Sequence, residues 1–304
     1  MRRNKPSEAV RPTVLINRDG GAAAADDKIA AKVKAALSRA GVAAEIELIA
    51  GAQAEARARA IAERGDVLLI VAGGDGTVSA AAGAVADTAT RLAILPLGTL
   101  NHFARDLGIP TELDEAAALI AAGPERRVDI AEMNGRTFVN NSAIGAYPLM
   151  VMDRDLQRKR LGRSKRLAMA VASVRTLVRF RHQRLTLTVN DLAERVDTPL
   201  LFVGNNDYRL EMPGSGRREK LDGGRLCVLV MRSKSRAGFL AATLRALVGR
   251  ARPEDMERLD GVERLRVGSG RSSLTVSLDG EVERIEPPLD YRIRTAALRV
   301  IAPD

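Results

Sequence analysis

The sequence predicts an α/β chain, with a parallel sheet wrapped by helices over residues 1–128 and a β-rich domain over residues 129–294. Three observations predict it. Strand-length apolar runs alternate with amphipathic helix-length stretches between residues 13 and 122, the pattern of β–α–β units. One run, Val67, Leu68, Leu69, Ile70 and Val71, is apolar without alternation, as a strand covered on both faces must be. After residue 127 short strands are separated by Asn-Gly and Asp-Gly pairs, which make hairpin turns.

Taken in order, a strand over 13–16 ends at Asn17, before Asp19-Gly20-Gly21. A helix from Asp26 places Ile29, Val33, Ala36, Leu37 and Ala40 on one face and stops at Gly41. Strand 45–49, helix 53–64 and strand 67–72 follow, then a helix over 78–86 and a buried strand running into Pro96. The next helix, after Thr99, buries Leu100, Phe103, Ala104 and Leu107 and is closed by Gly108 and Pro110. A helix over 111–122, with Thr111 as its cap, precedes a hairpin of 127–133 and 137–141 around Asn134-Gly135. The domain boundary is expected near residue 128. Strands over 185–190, 199–203, 226–231 and 274–278, with a helix over 238–249, make the second domain β-rich and point to a sandwich.

Composition excludes several classes of protein. At 304 residues and 46% hydrophobic the chain can bury a large core, and two domains are preferred. One cysteine, Cys227, forbids an internal disulfide, and two histidines with one cysteine forbid a His/Cys zinc cluster. A reducing, cytoplasmic setting is expected, since no leader-like apolar stretch follows Met1 and no apolar run approaches the roughly 18 to 20 residues of a spanning helix. The net charge of +10 calls for an anionic partner. With 3% aromatics and no tryptophan there is little to stack on bases, so an anionic membrane is preferred to nucleic acid.

The stretch that carries chemistry is GGDGT, residues 73–77. Gly73, Gly74 and Gly76 would let backbone N–H groups approach a phosphate and would permit positive φ, and the dipole of the following helix would add to the attraction. Asp75 would repel a bare phosphate, so it implies either a shared metal or a role in holding the loop. Neither G-x-G-x-x-G nor G-x-x-x-x-G-K-[ST] occurs. A second loop, PLGTLN at 96–101, carries Gly98, Thr99 and Asn101. Both loops end buried strands, where ligands bind in open parallel sheets.

GGDGT followed about twenty residues later by PLGT-x-N resembles the diacylglycerol kinase catalytic domain, in its bacterial soluble, YegS-like branch. NAD kinases and phosphofructokinases share the GGDG loop but not PLGT-x-N. The resemblance continues through NNSAIG (140–145), LDGG (221–224) and DGE (279–281). It implies ATP across the two loops, in a cleft between domains, held by Asn17, Gly73, Gly74, Asp75, Gly76, Thr77, Gly98, Thr99 and Asn101. Mg²⁺ is implied at Asp75, at Asp129, which faces the cleft in the family's geometry, and at Asp222, which marks the family's structural metal site. Glu281, helped by Asp279, is implied as the general base on a lipid hydroxyl. The chain departs from the family at Arg18, where Pro is usual, at His102, where Asp is frequent, and at Gly223, where a second acid is frequent. The closing strand returns to the first domain in family structures, and 295–304 are expected to do the same.

Basic residues crowd 154–184 around an apolar helical stretch at 167–178. Such a segment could lie on an anionic membrane, each basic group contributing about 1 kcal/mol, or be a core helix with solvated flanks. The function expected is an ATP-dependent lipid kinase acting on a diacylglycerol-like acceptor at a membrane surface. Its rivals are a sphingoid-base, ceramide or phosphatidylglycerol kinase, and a relative that binds nucleotide or membrane without turnover. The sequence leaves the oligomeric state open.

Overall fold

The computed structural model describes residues 11–20, 26–65, 67–145, 182–209, 217–218, 220–232, 235–247, 252 and 255–303. The basic segment at 154–184, except 182–184, and most of the loop at 213–220 lie outside these residues. The chain divides into two compact units, Met1–Val128 with Ala296–Asp304, and Asp129–Thr295.

The first unit begins with β1 (Thr13–Asn17), α1 (Ile29–Arg39), β2 (Glu45–Ile49), a single 3₁₀ turn (Gly51–Gln53) and α2 (Ala54–Glu63). It continues with β3 (Leu68–Gly73), α3 (Asp75–Val85), β4 (Arg91–Pro96), α4 (His102–Asp106) and α5 (Leu113–Ala122). The strands run parallel in the order β2-β1-β3-β4, with Leu15 beside Val71, Leu69 beside Leu92 and Gly73 beside Pro96. Residue Val300 of the closing strand lies parallel to β4, beside Leu92. Leu69, Ile70, Val71 and Ala72 are wholly buried, which is why β3 has no alternation. Helix α1 packs against α5, and α2 against α3.

Four local expectations are corrected. Val67 is 55% exposed and precedes the strand, and Leu100 is 46% exposed while Phe103, Ala104 and Leu107 are buried. Apolarity alone did not separate the turn residue from the helix face. Helix α5 starts at Leu113 with Glu112 at its N-cap and no side-chain cap, so Thr111 does not serve. Helix α3 begins at Asp75, three residues earlier than expected, because Asp75, Gly76 and Thr77 already form its first turn.

The second unit takes up β5 (Glu125–Met133), which enters from the first, and adds β6 (Arg136–Phe138), β7 (Asn141–Gly145), β8 (Gln183–Val189) and β9 (Leu192–Thr198). Next come β10 (Leu200–Asn205), β11 (Tyr208–Arg209), β12 (Arg217–Arg218), β13 (Leu226–Met231) and α6 (Arg236–Leu247). Strands β14 (Met256–Val262), β15 (Arg264–Ser269), β16 (Leu274–Leu278), β17 (Glu281–Ile285) and β18 (Leu289–Ile301) complete it. One antiparallel sheet has the order β14-β13-β10-β7-β16-β17; facing it, β18, β15, β8 and β9 follow one another, with the β5–β6 hairpin beside β18. The hairpin turn Asn134-Gly135 has φ of 48° and 80°, the left-handed pair that a two-residue turn needs. Side chains from both sheets, including Phe138, Ile144, Leu187, Leu201, Val228, Leu265, Val276 and Tyr291, fill one core, so this unit is a sandwich.

Candidate functional site

In the first unit, the pairing of Gly73 with Pro96 brings GGDGT and PLGTLN out side by side at the carboxyl ends of β3 and β4. Their contact explains the glycines. A Cβ on Gly98 would lie 2.4 Å from the Gly74 Cα and 2.5 Å from Asn101 Oδ1, and one on Gly73 would lie 2.9 Å from the Thr77 Cβ. The positive φ expected of Gly73, Gly74 and Gly76 is absent from all three; Gly74, for instance, is extended at φ −96°, ψ −177°. The chain runs straight from strand into helix, and close approach, not handedness, keeps a side chain off Gly73 and Gly98.

Gly74 is the N-cap of α3 and offers no capping side chain, so the first-turn N–H groups at Asp75, Gly76 and Thr77 end the helix without one. Asp75 holds the loops together through Oδ1, which accepts the Phe103 N–H at 3.2 Å. Buried Thr77 accepts Asn17 Nδ2 at 2.8 Å, and Asn17 Oδ1 accepts the Asp19 N–H at 3.0 Å. Asp19 in turn accepts the Gly51 N–H at 3.0 Å, so the ends of β1, β2 and β3 are tied together. Asn101, at φ 49°, spends its side chain on its own loop: Oδ1 accepts the Gly98 N–H at 2.9 Å, and Nδ2 donates to Pro96 O at 3.2 Å and Gly98 O at 2.9 Å. Its place is that of a loop organiser. Thr99 and Gly76 are exposed beside these contacts, and His102 is half-exposed at the start of α4. All nine residues expected to hold nucleotide therefore sit at the ends of β1, β3 and β4.

In the second unit, Asp279 and Gly280 form the two-residue turn between β16 and β17, with φ of 46° and 89°. The Asp279 carboxylate points back into the protein. Its Oδ2 accepts the Val139 N–H at 2.8 Å, and its Oδ1 accepts the N–H groups of Asn140 at 2.8 Å and Asn141 at 2.9 Å. Glu281, across the ladder from Leu278, is exposed, and its side chain makes no hydrogen bond or ion pair among the described residues. One carboxylate is pinned and the other is open to solvent.

Asp129 is 2% exposed and is wrapped by the LDGG loop: its N–H donates to Leu221 O at 2.7 Å and its Oδ2 accepts the Gly224 N–H at 2.7 Å. Asp222 is exposed on that loop. At Gly223 the N–H donates to Asn206 Oδ1 at 2.8 Å, and a Cβ would lie 2.9 Å from that oxygen. Among the described residues no three His, Cys, Asp or Glu side chains gather as a metal cage. The residues do fit a nucleotide carrying its own cation. The uncapped first turn of α3 suits phosphate oxygens, and Asp75 is the acidic residue within that turn, the kind of sparse protein contribution that Mg²⁺ shared with phosphates takes.

Sequence reasoning missed a buried polar cluster in the second unit. Asn205 and Asn206 are wholly buried, Asn140 is 4% exposed and Arg218 2%. Asn205 Nδ2 donates to Asp129 O and Val139 O, each at 3.0 Å. The available signal was the Asn-Asn pair at 140–141 and again at 205–206, each beside an apolar run. Nothing local marks Arg218 among 48 basic residues.

Residues 11–133 match the family model of the diacylglycerol kinase catalytic domain. A diacylglycerol kinase of Staphylococcus saprophyticus is 43% identical over 101 residues, 33% of this chain and 32% of that protein. A diacylglycerol kinase of Staphylococcus carnosus is 41% identical over 80 residues, 26% of each chain. The matched stretch thus spans a third or less of these relatives. Two solved Bacillus anthracis structures match over 97% of this chain and 98% of theirs, with TM-scores of 0.76 and 0.69 at 23% and 20% identity; the second is described as a diacylglycerol kinase. A yeast NADH kinase shares the fold more distantly, at TM-score 0.51 and 12% identity. Motif, loop geometry and family model converge on one stretch, residues 11–133, which is similar to the diacylglycerol kinase catalytic domain.

Proposed function

We propose that the chain is an ATP-dependent lipid kinase that transfers the γ-phosphoryl group of Mg-ATP to a lipid hydroxyl, with a diacylglycerol-like acceptor. The observation that carries this reading is the contact of Gly74 with Gly98, which sets two backbone loops beside an uncapped helix start inside the matched domain. The names of the relatives favour the acceptor class.

In this reading the N–H groups of Asp75, Gly76 and Thr77 bind phosphate oxygens, and the exposed Thr99 hydroxyl donates to them. Thr77, which accepts from Asn17, keeps its own proton free to donate. Mg²⁺, when bound, neutralises charge on the phosphates, with Asp75 as its protein carboxylate directly or through water; Asp129 and Asp222 are the second unit's candidates for a structural ion. Transfer forms a bond from the acceptor oxygen to Pγ and breaks the bond from Pγ to the β–γ bridging oxygen, releasing ADP. The acceptor's proton goes to Glu281, the carboxylate left open, while Asp279 fixes the turn that presents it. Peripheral contact of 154–184 with an anionic membrane on its cytoplasmic side would deliver the lipid. Among the described residues no helix is long and apolar enough to cross a membrane.

The test is transfer of labelled γ-phosphate from Mg-ATP to diacylglycerol, sphingosine, ceramide and phosphatidylglycerol in mixed micelles. Labelling of diacylglycerol is expected. Labelling of another lipid alone would move the acceptor class, and ATP binding without labelling of any lipid would overturn the kinase reading.

A further inference from the structure

The segment Val139–Asn141, between β6 and β7, presents its N–H groups to Asp279, and its carbonyls face a second set of partners. Val139 O accepts Arg218 Nη1 and Asn205 Nδ2. Asn140 O accepts the Tyr208 hydroxyl at 2.9 Å and the Asn205 N–H at 2.9 Å. Arg218 Nη2 also donates to Asn140 Oδ1 at 2.9 Å, so the guanidinium grips this residue and its neighbour in a fork. Arg218 pairs with Tyr208 across the β11–β12 ladder and lies over its ring, 5.2 Å from the centroid.

Val139 C=O and Asn140 N–H belong to one peptide group. A guanidinium therefore donates to one end of that group and a carboxylate accepts from the other. The next peptide repeats the arrangement, with the Tyr208 hydroxyl on Asn140 O and the Asn141 N–H on Asp279. Donor, peptide and acceptor in line polarise one another, so each bond strengthens the next. An arginine serves here because its planar fork reaches two acceptors at once.

We propose that Arg218 is the positioning residue of the Asp279-Gly280-Glu281 turn, acting through the Val139–Asn140 peptide. Arg218 touches neither nucleotide nor lipid in this scheme; it sets where Glu281 stands. The effect on turnover rests on the kinase reading above, whereas the coupling of Arg218 to the turn does not.

Two measurements on the full chain separate them. The first is amide hydrogen exchange without substrate in wild type, Arg218→Met, Arg218→Lys and Tyr208→Phe. In Arg218→Met the amides of Val139, Asn140 and Asn141 exchange about tenfold faster or more while those of β13 stay unchanged, as expected of a local opening. Arg218→Lys, which keeps the charge but loses the fork, restores part of the protection. The second is steady-state kinetics: kcat in Arg218→Met falls about tenfold or more with the KM for ATP within about twofold, the split of a residue that acts on chemistry and not on nucleotide binding. Unchanged exchange at 139–141, equal acceleration throughout the second unit, or a rise in KM at constant kcat overturns the proposal. If Arg218→Met does not fold, Tyr208→Phe decides: faster exchange confined to Asn141 and its neighbours supports the clamp, and wild-type exchange there overturns it. A wild type that labels no lipid sinks the kinase reading and leaves the clamp to be judged by exchange alone.

Discussion

At Gly98 the first unit depends on the absence of a side chain, since a Cβ there would lie 2.4 Å from the Gly74 Cα. At Asp279 the second unit depends on one side chain, whose oxygens collect three backbone N–H groups from a segment 138 to 140 residues earlier. The first arrangement joins two short loops through backbone, so it is written as glycine in each of two short motifs. The second is long-range and made of side chain to backbone bonds, so its partners leave no spacing to read. The contrast teaches where mutations should act on nucleotide binding and where on the acceptor's chemistry.

The contrast breaks most visibly at Asp279. Asp279→Asn puts an NH₂ against backbone donors and frees the turn, so lipid phosphorylation should drop about 10²-fold or more while ATP binding is retained. Retained phosphorylation would dissolve the distinction between a pinned and an open carboxylate. Gly98→Ala should do the reverse: the loops must separate, at a cost of about 1–3 kcal/mol in chemical unfolding, and ATP affinity should fall in calorimetric titration. Wild-type affinity would mean that the Gly74–Gly98 contact does not shape the nucleotide loops.

Asn205→Ala sharpens the account of the second unit. It strips a donor from the carbonyls of Asp129 and Val139, both 3.0 Å away, and should cost about 1–3 kcal/mol of stability with ATP affinity unchanged. The smallest effects are at the surface pairs. Arg57 holds Glu47 below its ordinary value of 4.5 by hydrogen bonding, and Arg136 does the same for Glu283. A carboxylate whose folded pKa is depressed stabilises above its unfolded pKa, and that contribution is lost as pH falls through the folded value. Glu47→Gln and Glu283→Gln should therefore flatten the loss of stability below about pH 4.5, each within the range of an exposed ion pair, about 1 kcal/mol or less. An unaltered acid limb in thermal melts would show that neither pair contributes.

Much of this architecture is legible in the sequence, for stated reasons. Leu69 to Ala72 announce a strand covered on both faces because nothing polar interrupts them, and Asn134-Gly135 announces a hairpin because only such residues accept its left-handed turn. Val67 and Leu100 mislead because an apolar residue at the edge of an element is not always inside. The start of α3 at Asp75 was hidden by the glycines, which lower helix propensity without preventing a first turn packed against a neighbouring loop. Asn101 was legible as a site residue and illegible as a loop organiser, since its partners are backbone atoms three and five residues away. Arg218 was illegible altogether: two of its acceptors, Val139 O and Asn205 O, are backbone atoms with no residue identity, and the third, Asn140 Oδ1, lies 78 residues away.

The central claim is that the chain phosphorylates a lipid with Glu281 accepting the proton. The most direct measurement is labelled phosphate transfer from Mg-ATP to diacylglycerol by wild type and Glu281→Gln, with nucleotide binding measured on the same samples. The account predicts labelling by wild type and a loss of about 10²–10⁴-fold in the variant at unchanged ATP affinity. A variant that labels lipid at the wild-type rate, while Asp279→Asn is silent with the 139–141 amides still protected, would contradict it and move the base to Asp279.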